Sequence, residues 1–194
     1  MHIDATPIPS FQGVSLQTAR LQLRPFQTSD AASILALFMD EGFMEYSPAP
    51  MFTSMDEAHE VVVRDAAKLT AGERLRLGMV RMDNGMLIGY CDLFGIDRQH
   101  RKGEIGYGLL TRERGHGFMH EALSAFLNCV LLDLQFNRVI AEIDPANTNS
   151  ERTVQRLGFT KEAHLRENCF VKGVLSDSFL YGLLKRDLQP CPAS

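Results

Sequence analysis

The stretch from Glu104 to Ile143 constrains this chain more tightly than any other part of it. Glu104 to Leu110 reads as a strand, and Arg112-Glu113-Arg114-Gly115-His116-Gly117 is a glycine-bearing turn. A long helix then opens at Gly115 or Gly117, with Met119, Ala122, Leu123, Phe126 and Val130 as its buried stripe. The short run Arg138-Val-Ile-Ala-Glu-Ile143 follows as another strand. Strand, long helix, strand demands a right-handed crossover that lays the second strand parallel to its neighbour. The chain must therefore build a sheet with helices packed on it, with a tight turn where a strand feeds a helix.

That turn has a chemical use. Gly115 and Gly117 remove side chains, so an anion can reach the backbone and the first unpaired N–H groups of the helix. The aligned peptide dipoles favour negative charge there by up to about 1–2 kcal/mol. Arg112 and Arg114 can add charge-assisted contacts, or serve as solvated surface charges. No Gly-Lys-Ser/Thr ending supplies the lysine and hydroxyl of a P-loop, and His120 stands where a dinucleotide fingerprint needs glycine. A plain sharp turn would use the same glycines, so the loop alone argues only for an anion at a helix N-terminus.

Ahead of this unit, Leu21-Gln-Leu-Arg-Pro-Phe26 alternates as a strand, and a helix follows with Thr28 or Ser29 as N-cap and Ala31, Ile34, Leu35 and Phe38 inward. Residues 41–52 form a loop. Ser54 and Glu57 make a capping box for a second helix with inner face Ala58, Val61, Val62 and Leu69. After Gly72 the period becomes two. Leu75, Leu77 and Met79 alternate with Arg74, Arg76 and Gly78 as a half-buried strand, and Asp83-Asn84-Gly85 is a hairpin turn before the strand Met86 to Phe94. Past Ile143, a short helix runs from about Asn149 to Leu157, with Gly158 at its left-handed end, and two strands follow within 159–170 and 174–185. The class is α/β, a mixed sheet with helices on its faces.

The chain has 194 residues, enough for one domain with a core of its own. Residues 1–15 are expected to be a loose arm, 16–186 the domain and 187–194 a tail. A formal net charge of -4 supplies no basic field for nucleic acid or anionic lipid. Cys91, Cys129, Cys169 and Cys191 stand apart without a Cys-x-x-Cys pair, the first ten residues lack a signal-peptide pattern, and no apolar run approaches a membrane span. The expectation is a cytoplasmic protein with reduced thiols, a monomer or homodimer, with neither nucleic acid nor membrane as partner.

The loop and its sequel Phe118-Met-His-Glu121-Ala122 resemble the acyl-CoA loop of the GNAT (Gcn5-related N-acetyltransferase) superfamily, in its ribosomal-protein N-terminal acetyltransferase (RimJ/RimL-like) branch. Thr18-Ala-Arg20-Leu21-Gln-Leu23-Arg24-Pro-Phe26 matches that branch's opening, Glu104 to Tyr107 its Glu-Ile-Gly-Tyr, and Asn147, Ser150 and Leu157-Gly158-Phe159 its later motif. The four motifs stand in register over about residues 16–186. The resemblance implies a mixed, mostly antiparallel sheet of about six or seven strands with helices on both faces. It also implies transfer of an acetyl group from acetyl-CoA to a primary amine, of a protein N-terminus or a small molecule, by direct attack in a ternary complex without a metal.

On the same footing, the pyrophosphate would rest on the N–H groups of Arg112, Arg114, Gly115, His116 and Gly117, with the pantetheine beside Leu109 and Leu110, where a main-chain N–H would polarise the thioester carbonyl. Glu104 is the candidate general base, directly or through a water; a solvent-facing strand glutamate is the plain alternative, and Glu162 or Glu167 could serve instead. Asn147 and Ser150 would face the cofactor, Ser150 as general acid, since Val154 stands where many members have a tyrosine. One of these residues can equally cap the short helix. His116 and His120 have zinc-ligand spacing but no third ligand in sequence. A non-catalytic acyl-CoA-binding module, and an α/β domain with no CoA site, are the competing readings.

Overall fold

The strand–helix–strand unit sits at the middle of the sheet. The computed structural model describes residues 8–171 and 173–188. Among them run β1 (Leu16–Gln17), β2 (Leu21–Arg24), α1 (Ala31–Met39), α2 (Met55–Ala71), β3 (Leu75–Arg81), β4 (Leu87–Asp97), β5 (Lys102–Leu109), α3 (Phe118–Asn128), β6 (Arg138–Ile143), α4 (Thr148–Arg156), β7 (Thr160–Val171) and β8 (Val174–Leu184). The strands form one eight-stranded sheet in the order β1-β2-β3-β4-β5-β6-β8-β7. Every neighbouring pair is antiparallel except β5 and β6, which α3 joins in parallel. The eighth strand is the two-residue β1, too short to leave a periodic signal.

Two apolar clusters hold the layers. α3 buries Phe118, Ala122, Leu123, Phe126 and Leu127 with Leu21, Leu23, Leu77, Leu93 and Val139 of the sheet. A second cluster gathers Ile34, Leu37 and Phe38 of α1 with Ala58, Val61 and Val62 of α2, and with Val80 and Leu87. The capping box of α2 forms as its sequence requires: Ser54 accepts from the Glu57 N–H while the Glu57 carboxylate takes the Ser54 N–H. The first helix starts differently. Asp30 binds the Arg24 guanidinium through both oxygens and takes the Gln27 N–H at 2.7 Å, so Gln27, not Thr28 or Ser29, heads a 3-10 turn that leads into α1.

Two expectations change. Residues 8–15 are not a loose arm, because Ile8 and Phe11 are buried in the main cluster and Phe11 lies 6.5 Å from the Phe136 ring. The remainder of that arm, residues 1–7, lies outside the described residues, as do 189–194 of the expected tail. Strand β3 is not half-buried either. It is buried from Leu75 to Val80 because Arg76 is enclosed between Asp65 of α2, at 3.0 Å, and Asp92 of β4, also at 3.0 Å. Arg74 grips Asp92 as well, its Nε 2.8 Å from Oδ1. One oxygen of Asp65 has no hydrogen-bond partner among the described residues, and burial pushes its carboxyl above the usual range.

This network predicts an asymmetry among the arginines. Arg76→Ala would leave two buried carboxylates without their shared cation and cost about 3–5 kcal/mol. Loss of an exposed pair such as Arg186–Asp187 would cost under about 1 kcal/mol. Urea denaturation of R76A and R186A checks the difference, which vanishes if the buried network contributes no more than a surface pair.

Candidate active site

The parallel pair at the middle of the sheet is short. β5 and β6 are in register at Lys102 with Arg138, Gly103 with Val139 and Glu104 with Ile140, and no further. Yet β5 runs on to Leu109, still paired to β4, and β6 runs on to Ile143, still paired to β8. Beyond Glu104 the two strands therefore part, and a gap opens in the sheet. Leu110 donates its N–H to the Ile88 carbonyl at 2.9 Å, on the β4 side. By the alternation of antiparallel bonding, the N–H of Leu109 points the other way, into the gap. Of the two expected pantetheine neighbours, Leu109 thus has a main-chain donor to offer, whereas the donor of Leu110 is used in the sheet. The side chains of both are buried.

The far wall of the gap is the start of α4. Asn147 caps that helix, its Oδ1 accepting from the Ser150 N–H at 3.1 Å. The amide nitrogen of Asn147 and the hydroxyl of Ser150 bond to nothing among the described residues. Tyr107, projecting from β5, donates its hydroxyl to the Ser150 carbonyl at 3.2 Å and so spans the gap as a strut. Burial pushes that phenol up to about 12, which keeps it a donor at neutral pH. Tyr46, from the loop between α1 and α2, reaches the Ala146 carbonyl at 3.4 Å.

At the mouth of the gap lies the glycine turn. Gly115 and Gly117 have φ of 83° and 78°, a left-handed region that favours glycine, and Gly117 is the N-cap of α3. The N–H groups of Phe118, Met119 and His120 lie in the first helical turn and have no acceptor among the described residues. The turn is fixed from behind by residues whose role the sequence did not reveal. Glu121 accepts from the Thr18 hydroxyl at 2.6 Å, the Arg20 N–H at 2.9 Å and the Arg20 Nε at 2.7 Å. These bonds hold the Glu121 carboxyl below its usual range against the opposing effect of its partial burial. Arg20 also donates to the His116 carbonyl at 2.9 Å and lies 4.4 Å over the Phe118 ring.

The loop's own arginines turn elsewhere. Arg114 donates to the Gly42 carbonyl at 2.7 Å, tying the turn to the α1–α2 loop, and Arg112 reaches the Met86 sulfur at 3.1 Å. Both are exposed, as is His116.

Glu104 stands on the other face of the sheet from Tyr107, at the point where the strands part. It is half-buried and forms no hydrogen bond or ion pair among the described residues. Burial, with Glu142 adding, raises its carboxyl to about 7. The other acidic candidates are placed differently. Glu162 is ion-paired to Arg138, which holds its carboxyl below the usual range. Glu167 sits in an irregular part of β7 at φ 49°, its N–H given to Asp177 at 2.9 Å. His116 and His120 join no group of three potential metal ligands among the described residues. No helix there is long and apolar enough to cross a membrane.

The arrangement is thus a split sheet with an anion-receptive helix start at its mouth, hydroxyls on one wall and an uncommitted carboxylate at its apex. A family model described as "Acetyltransferase (GNAT) domain" matches residues 20–160. The chain is 30% identical over 173 residues to "Uncharacterized N-acetyltransferase p20" of Bacillus licheniformis, covering 89% of this chain and 97% of that one. It is 24% identical over 162 residues to the spermidine N(1)-acetyltransferase of Vibrio cholerae, covering 82% and 90%. The structure of Mycobacterium smegmatis RimJ in complex with CoA-disulfide superposes with a TM-score of 0.82 at 21% identity, covering 95% of this chain and 92% of that one. The chain belongs to the GNAT acetyltransferase family and is an N-acetyltransferase whose relatives include ribosomal-protein acetyltransferases.

Proposed function

We propose that the chain moves the acetyl group of acetyl-CoA to a primary amine by direct attack within the gap between β5 and β6. The parting of these strands after Glu104 carries the reading, because it opens a path through the sheet with a different chemical group at each end. The free N–H groups at the start of α3 suit a pyrophosphate, and the inward N–H of Leu109 suits the thioester carbonyl. Arg112, Arg114 and His116 are exposed around the same turn, where they can close over an anion.

An amine reaches the site protonated. Glu104 takes that proton, directly or through a water, and the neutral amine attacks the carbonyl carbon. As the C–N bond forms and the C–S bond breaks, the Ser150 hydroxyl protonates the departing sulfur and takes up the second proton that the nitrogen loses, while Glu104 passes the first to solvent. Asn147 holds Ser150 at the helix start and keeps its amide N–H free for the pantetheine. The acceptor enters from the face carrying α1 and α2. The named function of the Vibrio cholerae relative favours including polyamines beside protein N-termini in any search for it.

A thiol-release screen with acetyl-CoA against N-terminal peptides, polyamines, amino acids and aminoglycosides tests this reading. Saturating acetyl-CoA, at about 100 times its Kd, should stabilise the fold by roughly 2.7 kcal/mol. Glu104→Gln should lower kcat about a hundredfold or more while leaving acetyl-CoA binding intact, and Ser150→Ala should do the same to a smaller extent. The wild-type rate should rise with pH through about 7, because Glu104 accepts a proton only when ionised. Gly117→Val, forced into left-handed backbone, should weaken acetyl-CoA binding about tenfold with chemistry retained at saturation. Full turnover by E104Q with an unchanged pH profile would remove Glu104 from the mechanism.

A further inference from the structure

The acceptor face of the sheet holds a second carboxylate that the mechanism leaves unused. Glu104 pairs with Ile140, and Glu142 lies two residues further along β6, so both project from one face on adjacent strands at the point where those strands separate. Glu142 is fixed there. Its Oε2 accepts from the Asn168 amide at 2.8 Å and more weakly from the Ser178 hydroxyl at 3.4 Å. Asn168 also donates to Ser178 at 2.9 Å, so β7 and β8 together hold the carboxylate in place.

The cations on this face are committed to other acids. On β3, Arg74 and Arg76 bind Asp92 of β4, and Arg76 also binds Asp65 of α2. On β5, Lys102 is 3.8 Å from Asp97. On β6, Arg138 is bound to Glu162 of β7. Directly opposite Glu104, β4 presents only Phe94. Just past Glu142, β6 ends at Ile143 and Asp144 follows it, a further negative charge. Among the described residues no cation pairs with Glu104, and the like-charged Glu142 stands on the neighbouring strand across the gap.

We propose that Glu142 is a positioning residue of the acetyl transfer: anchored by Asn168 and Ser178 on the strand beside Glu104, it strengthens Glu104's hold on the proton that the acceptor amine must lose. The proposal rests on Glu104 being the base. Its chemical sense lies in the direction of proton transfer. A carboxylate with an ordinary pKa takes a proton from an ammonium group only against a steep gradient, and each unit gained makes the transfer about tenfold less unfavourable. Burial of Glu104 supplies the larger part of its rise to about 7, and Glu142 supplies the rest. Glu142 itself touches neither reactant.

Carboxyl-carbon NMR titration of glutamate-labelled protein tests this without needing an acceptor, with the Glu104 signal assigned by its loss in E104Q. Glu142→Gln should lower the Glu104 midpoint by about half a pH unit. Glu142→Asp, which keeps the charge, should restore most of it. A Glu104 midpoint unmoved by E142Q, in protein of unchanged melting temperature, overturns the proposal. The exposed position of Glu142 leaves folding of both variants intact. With spermidine and an alanine-headed peptide as acceptor probes, the acid limb of the rate profile should move with the NMR midpoint while the KM for acetyl-CoA stays constant. If the midpoint moves but E104Q still turns over at the wild-type rate, the coupling is real and the assignment of Glu104 as base is what fails.

Discussion

Three residue pairs hold β5 to β6, and the rest of the molecule is arranged around the place where that pairing stops. A sheet that parts leaves two rows of backbone donors and acceptors facing one another with nothing between them, a cost that folded proteins ordinarily avoid. Here each strand keeps its outer edge fully paired, β5 to β4 and β6 to β8, so the split leaves two well-built half-sheets rather than frayed ends. Tyr107 then braces the opening from β5 to the first turn of α4. α3 packs its apolar face against the sheet. The gap is built into the fold, and a ligand can replace the missing hydrogen bonds.

Charge is distributed unevenly around this opening. The face of the sheet that carries Glu104 also carries Arg74, Arg76, Lys102 and Arg138, and each of these lies against another carboxylate. Arg74 and Arg76 are drawn onto Asp92, and Arg76 also pins α2 to the sheet through Asp65. Arg138 is held by Glu162. The ion pairs thus serve two ends, securing helix and strand to the sheet and leaving Glu104 without a counter-ion among the described residues. A single mobile arginine within reach would pair with Glu104 and lower its proton affinity, as Arg138 does for Glu162.

Periodicity made most of the fold legible. The switch from period two to period 3.6, the Ser54/Glu57 box, the Asp83-Asn84-Gly85 turn and Gly158 each have a local physical cause, and the elements they mark are present. What could not be read was non-local. Phe11 looked like part of a polar arm because nothing in its neighbourhood says that Phe136 will cover it. Arg76 looked like the wet side of a strand because its partners lie 11 and 16 residues away on other elements. The directions of Arg112 and Arg114 depend on where Met86 and Gly42 come to rest. For the same reason Glu142 passed as one more residue of a short strand: its meaning comes from β5 on one side and Asn168 on the other.

The motifs that carried the resemblance have a physical explanation of this kind too. Thr18 and Arg20 stand about a hundred positions before Glu121, and the three meet in one cluster behind the glycine turn, with Arg20 also holding the His116 carbonyl. Glu121 lies in the first turn of α3, where a negative side chain suits the helix dipole, and its three hydrogen bonds leave it no freedom to swing toward the mouth of the gap. A carboxylate loose at that position would compete with any anion for the same N–H groups; clamped by Thr18 and Arg20, it supports the turn from behind instead. The acceptor side is built by other means. There Phe43 lies against Gly108, so close that any β-carbon at 108 would collide with its ring, and Arg114 holds the Phe43 loop through Gly42. The α1–α2 loop is thus fastened at once to β5 and to the glycine turn. A change in that loop must therefore be accommodated without shifting the turn at the start of α3.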